Sequence, residues 1–139
     1  MEKEVEVQVS SLQESPEGTS SIKFSTSGRL QRREEGYSLV YREQATGMEG
    51  VKTELVINQE GVVTLIRSGS IKSEQTFKEY ERDLSTYNTP FGQLLIEVDV
   101  KQIELSLGKD QGSLFLKYGL NLNNDKISDN RLAITYNSK

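Results

Sequence analysis

The stretch GQLLIEVDVKQIELSLGKDQGSLFLKYGLNL, Gly92–Leu122, decides how this chain folds. Its first part alternates with a period of two. Leu94, Ile96, Val98 and Val100 share one face, and Gln93, Leu95, Glu97 and Asp99 share the other, the pattern of a strand with one buried and one wet side. KQIELSLG repeats the pattern with Ile103, Leu105 and Leu107, and SLFLKYGLNL carries it through Leu114, Leu116, Tyr118, Leu120 and Leu122. Between them, Gly108-Lys109-Asp110-Gln111-Gly112 has the glycine-bearing composition of a short hairpin loop. Strands this close together, joined by so tight a turn, pair antiparallel.

The same period extends outward in both directions. EVEVQV places Val5, Val7 and Val9 together, SIKFSTSGRL pairs Ile22 with Phe24, YSLVYRE aligns Tyr37, Leu39 and Tyr41, and VKTELVI aligns Val51, Thr53, Leu55 and Ile57. VVTLIR is apolar on both faces and reads as the most deeply buried strand, IKSEQTFKEYE as a mostly polar one, and RLAITY closes the series with Leu132, Ile134 and Tyr136. Turn chemistry separates the runs at Ser15–Gly18, Glu34–Gly36, Asn58–Gly61 and Ser68-Gly69, with NNDKISDN as a longer polar loop. REQATGMEG reads as a loop or single turn, because Gly47 and Gly50 oppose a long helix. About ten such strands form a meander, and a meander of this length closes on itself to remove its edges. The expected fold is all-β: one up-and-down antiparallel barrel of about eight to ten strands, a single domain over residues 1–139.

Composition excludes several functions. With 17 basic against 21 acidic residues in 139, the net charge of -4 lacks the electrostatic footprint of a nucleic-acid binder. The one basic run, Leu30-Gln31-Arg32-Arg33, is cancelled by Glu34-Glu35. Cysteine and histidine are both absent. That removes disulfides, thiolate chemistry, a Ser-His-Asp triad and every common zinc site. The N-terminal MEKEVEVQV alternates acid and valine, unlike a signal peptide, and no apolar run approaches membrane-spanning length. These features predict a soluble cytoplasmic protein that is not an enzyme, has no cofactor, and binds neither nucleic acid nor membrane.

Four groups of residues invite a functional reading. Thr89-Pro90-Phe91-Gly92 suits a tight turn, with proline presetting the second position and glycine favoured at the fourth. Its aromatic neighbourhood adds a second possibility, since Tyr80, Tyr87 and Phe91 converging at one end of a barrel would offer stacking surface and hydroxyls. Glu97 and Asp99 lie on one strand face at glycosidase-like spacing, but away from the apolar side, where a solvated face is the simpler reading. Asn123, Asn124, Asp125, Asp129 and Asn130 gather oxygen donors without the glycine and terminal glutamate of a calcium loop. Arg29, Arg42, Arg67 and Lys117 fall inside strand patterns. An inward arginine would pair with an anionic ligand, and Arg67, following the doubly apolar VVTLI, is the foremost of the four.

The order EGVVTLIRSG, TFKEYE, YNTPFGQLLIEVDVKQIEL, GSLFLKYGLNLN and RLAITY resembles the YwiB-like family of small uncharacterised bacterial proteins, from about Glu4 to Tyr136. Its most specific parts are Tyr87-x-Thr89-x-x-Gly92 and Leu114-x-Leu116-x-Tyr118. That family looks like a calycin, similar to lipocalins and fatty-acid-binding proteins, so the resemblance implies a barrel and makes a ligand cavity the default suspicion. It implies no catalytic residue. The expected function is binding of a small, partly apolar or anionic ligand in the interior by Arg67, Tyr80, Tyr87, Thr89, Phe91 and Tyr118. The competing expectation is a solid-cored interaction module that pairs with a second copy.

Overall fold

A computed structural model of the chain describes residues 2–44, 47–90, 92–122 and 125–139, with the backbone alone for 85–89. Ten antiparallel strands are present: β1 (Glu2–Ser15), β2 (Gly18–Arg33), β3 (Gly36–Arg42), β4 (Lys52–Asn58), β5 (Val63–Ser68), β6 (Lys72–Phe77), β7 (Arg82–Thr89), β8 (Gly92–Leu107), β9 (Gln111–Leu122) and β10 (Asp125–Ser138). Each pairs with its neighbour in sequence, and β1 pairs with β10 to close the barrel.

Ten strands match the expected number through two differences that cancel. GQLLIEVDV and KQIELSLG are not two strands but the single β8. Ile96, Val98 and Val100 point inward on even numbers, while Ile103, Leu105 and Leu107 line the interior on odd ones. A β-bulge between Val100 and Gln102 makes the change of phase, with Lys101 the extra residue. The strand that replaces the lost one is β7, whose RDLSTYNT has too little apolar alternation to announce itself. NNDKISDN is likewise mostly strand, since β10 already begins at Asp125 and carries a second bulge between Lys126 and Ser128.

The interior has two unlike ends. At the end marked by the β2–β3, β4–β5 and β8–β9 connections, Leu30, Leu39, Leu55, Ile57, Leu114, Ile134 and Tyr136 are all nearly or wholly buried. The space left among them is about 10 Å³, room for one water. This end is solid. Its lock is Tyr136, which lies across Gly112 so closely that a Cβ there would meet the ring at 2.4–2.6 Å. The phenol donates to the carbonyl of Gly108 at 2.7 Å and accepts from its amide at 3.1 Å. Tyr136→Phe is expected to lower stability by about 1–2 kcal/mol, because both backbone groups of Gly108 lose this partner. Urea unfolding with an unchanged m-value would register it; an unaltered midpoint would mean that water replaces the hydroxyl without cost.

Candidate functional site

The opposite end of the interior is polar. Cross-strand register sets Tyr41 opposite Thr53, Thr53 opposite Arg67, Arg67 opposite Ser73 and Ser73 opposite Tyr87, one row running along the wall from β3 to β7. In-register neighbours share a face, and Tyr41, Thr53 and Ser73 are buried in the interior. From β9 and β10 the same end receives Tyr118 and Asn130, a directly opposed pair, and Ser128, which accepts a hydrogen bond from the Asn130 amide at 2.9 Å.

Arg67 is the cation of this layer, with its side chain 24% exposed, and Glu43 is its counterion at 6%. Glu43 is the first residue after β3 and is held there by its backbone bond to Val51. Its carboxylate accepts a 2.5 Å hydrogen bond from the Thr53 hydroxyl and stands 3.8 Å from Arg67 Nε, an ion pair too long to be a hydrogen bond. Arg67 Nε and the hydroxyl of Ser73 are therefore both buried without a hydrogen-bond partner among the described residues. Two such groups on directly opposed residues are unusual, because buried polar atoms are nearly always satisfied.

Two tyrosines of the interior feel the Arg67 charge, and each packs against a phenylalanine. Tyr118 packs edge-on against Phe77 at 4.8 Å, and Tyr41 lies 6.3 Å from Phe24. Burial raises the pKa of both Tyr41 and Tyr118; the Glu43 charge pushes Tyr41 further up, while the Arg67 charge draws both back. Burial also raises Tyr136. A raised phenol contributes stability that is fully present below its unfolded value of 10.0 and is lost as pH climbs from there toward the folded pKa. Alkaline unfolding above about pH 10 is therefore expected, with Tyr118→Phe flattening the fall; a melting temperature independent of pH between 9 and 11 would contradict it.

The sequence-derived candidates separate. Arg67 and Tyr118 come together in this layer. Tyr80 does not: it is 80% exposed, with φ at 63°, in the β6–β7 connection at the solid end. Its pattern continued β6, but the strand stops at Phe77. Tyr87 and Thr89 lie on β7 at the polar end, Tyr87 across from Ser73; their side chains, and all of Phe91, fall outside the described residues. Thr89 pairs directly with Gly92, the short connection that the proline and glycine predict. Asn123 and Asn124 are outside the described residues, and Asp129 pairs with Lys126 at 3.1 Å. Asp99, bonded to Lys101 at 2.8 Å, is held below its ordinary carboxylate pKa, the reverse of what a general acid needs. Arg29 pairs with Glu2 at 2.9 Å on the surface, and Arg42 and Lys117 are exposed.

Two partners in the layer escape sequence reasoning for different reasons. Ser73 could have been found, since the phase of IKSEQTFKEYE is set by its strongest anchor, Phe77, and that puts Ser73 and Gln75 inward. Glu43 could not, because it begins a loop and no period governs it.

A closed ten-stranded antiparallel barrel with one solid end and one polar end defines a β-barrel protein. The chain belongs to the family described as a domain of unknown function, DUF1934, whose model matches residues 7–134. It is 28% identical over 115 residues to the uncharacterized beta-barrel protein YwiB of Bacillus subtilis (strain 168), covering 83% of this chain and 80% of that one. The crystal structure of the ywiB protein from Bacillus subtilis has the same fold, with a TM-score of 0.87 over 99% of this chain and 93% of that one at 24% identity.

Proposed function

We propose that this protein is a non-catalytic binder of a small molecule, held at the polar end of the barrel by Arg67 and Ser73. The observation that carries the reading is the pair of buried groups on these two opposed residues that have no hydrogen-bond partner among the described residues. A ligand oxygen placed between them would satisfy both, and the Tyr41 and Tyr118 rings would supply apolar wall. Access is expected beside Ser73, where the β6–β7 seam has only three described register pairs, Lys72 with Asn88 through Glu74 with Thr86. A cytoplasmic setting belongs to the same proposal.

Native mass spectrometry of gently purified protein tests this reading. A stoichiometric non-covalent mass that disappears in Arg67→Met is the expected result. A bare peak unchanged by exposure to cell extract would favour the second reading, a solid-cored interaction module. That reading has its own support in the filled apolar end and in the exposed Leu84 and Leu95 on the outer face of β7 and β8, through which two copies would pair.

A further inference from the structure

Resting on the binding site just proposed, we infer that its ligand is an uncharged carbonyl compound, an amide or lactam, and not an anion. The argument is one of charge. The polar layer already holds a matched pair: the Arg67 guanidinium and, 3.8 Å away, the Glu43 carboxylate. Glu43 is 6% exposed and anchored by the Thr53 hydroxyl at 2.5 Å. The carboxylate is thus built into the site, not a mobile surface group that an incoming acid would sweep aside.

A carboxylate or phosphate entering beside Arg67 would leave this poorly solvated layer with one uncompensated negative charge close to Glu43, and burying an unpaired charge is far costlier than burying a satisfied dipole. What the layer lacks is hydrogen-bonding partners, not charge. Arg67 Nε offers a donor and the Ser73 hydroxyl offers a donor or an acceptor, both buried and unused. A carbonyl oxygen with an adjacent N–H answers both without altering the net charge. Tyr41 and Tyr118, the neutral phenols that feel the Arg67 charge, add no charge of their own.

Benzamide and benzoate share a ring and differ in the feature at issue. Each would be titrated into the wild-type protein, Glu43→Gln and Arg67→Met, following amide resonances by two-dimensional NMR. Wild type is expected to bind benzamide about tenfold or more tighter than benzoate, Glu43→Gln to erase or reverse that order, and Arg67→Met to weaken both. Benzoate binding the wild type better, or a ranking untouched by Glu43→Gln, would overturn the neutral-ligand inference while leaving an Arg67-dependent site standing. Binding of either probe that ignores Arg67, or no binding at millimolar concentration, would overturn the site and the inference together. If Glu43→Gln does not fold, the wild-type ranking alone decides.

Discussion

Deletion of Glu97 is expected to abolish folding, whereas deletion of Lys101, further along the same strand, is expected to leave the barrel intact. Ordinarily a one-residue deletion inside a central strand turns every side chain beyond it to the opposite face. Lys101 is the exception because it is the surplus residue of the β8 bulge: Val100 faces Tyr118, Gln102 faces Lys117, and no partner faces Lys101. Without it, Val100 in, Gln102 out and Ile103 in form an unbroken alternation. The loss is the 2.8 Å bridge to Asp99 and some local curvature, on the order of 1 kcal/mol. Removing Glu97 instead brings Ile96 against Val98, both inward. The chain's best response is to erase the bulge, which keeps both ends of β8 in register but carries Asp99 and Lys101 to the inward places of Val98 and Val100. Exposing two valines costs about 1.5–3 kcal/mol each, and the buried charges more, against a total stability of roughly 5–15 kcal/mol. Circular dichroism and NMR dispersion of the two variants would settle the contrast; equal behaviour of both would show that the bulge is not where the phase changes.

Arg67→Met should be the most destabilising single exchange at the polar end, by about 3 kcal/mol, because it strands the Glu43 carboxylate in a place only 6% exposed. The figure is set at the lower end for broken buried pairs since the Arg67 side chain as a whole is 24% exposed and the pair is therefore partly hydrated. Pairing the change with Glu43→Gln removes the orphaned charge while Thr53 keeps an oxygen to donate to. The double variant is accordingly expected to be more stable than Arg67→Met alone. Chemical denaturation of the two singles and the double gives the coupling directly; additive losses would mean that the two side chains, 3.8 Å apart, do not interact.

The inward face of nearly every strand was readable from period two alone, because valine and leucine at alternate positions admit only one orientation against water. Val5, Val7, Val51, Leu55, Leu114 and Ile134 are buried as their alternation predicts. The failures occur where that pressure vanishes. In β7 the polar residues carry no phase, so the strand was invisible. In β8 the phase slips with no glycine or proline to mark it; two apolar runs out of step by one residue are themselves the trace of a bulge, and they read as two strands only if a turn is assumed. Of the site, Arg67 and Tyr118 could be read from strand position, Ser73 from the phase of Phe77, and Glu43 from nothing local. Tyr80 was misplaced because a pattern was continued past the point where the backbone turns at φ 63°.

The barrel closes unevenly. Its seventh strand meets the eighth only over Gly92–Asp99, so beyond the bulge one side of β8 has no strand beside it among the described pairs. There the backbone is met by the β6–β7 connection instead: Val100 donates to the carbonyl of Glu81 at 3.0 Å and Ile103 to the carboxylate of Glu79 at 3.2 Å. A free strand margin invites adhesion between molecules, and here an acidic turn, with Glu79 and Glu81 beside it, stands guard over that margin. The acids of this turn are therefore ligands of the strand beside them as well as surface charge, and replacing Glu79 and Glu81 by neutral residues is expected to raise self-association at high concentration, which light scattering would register.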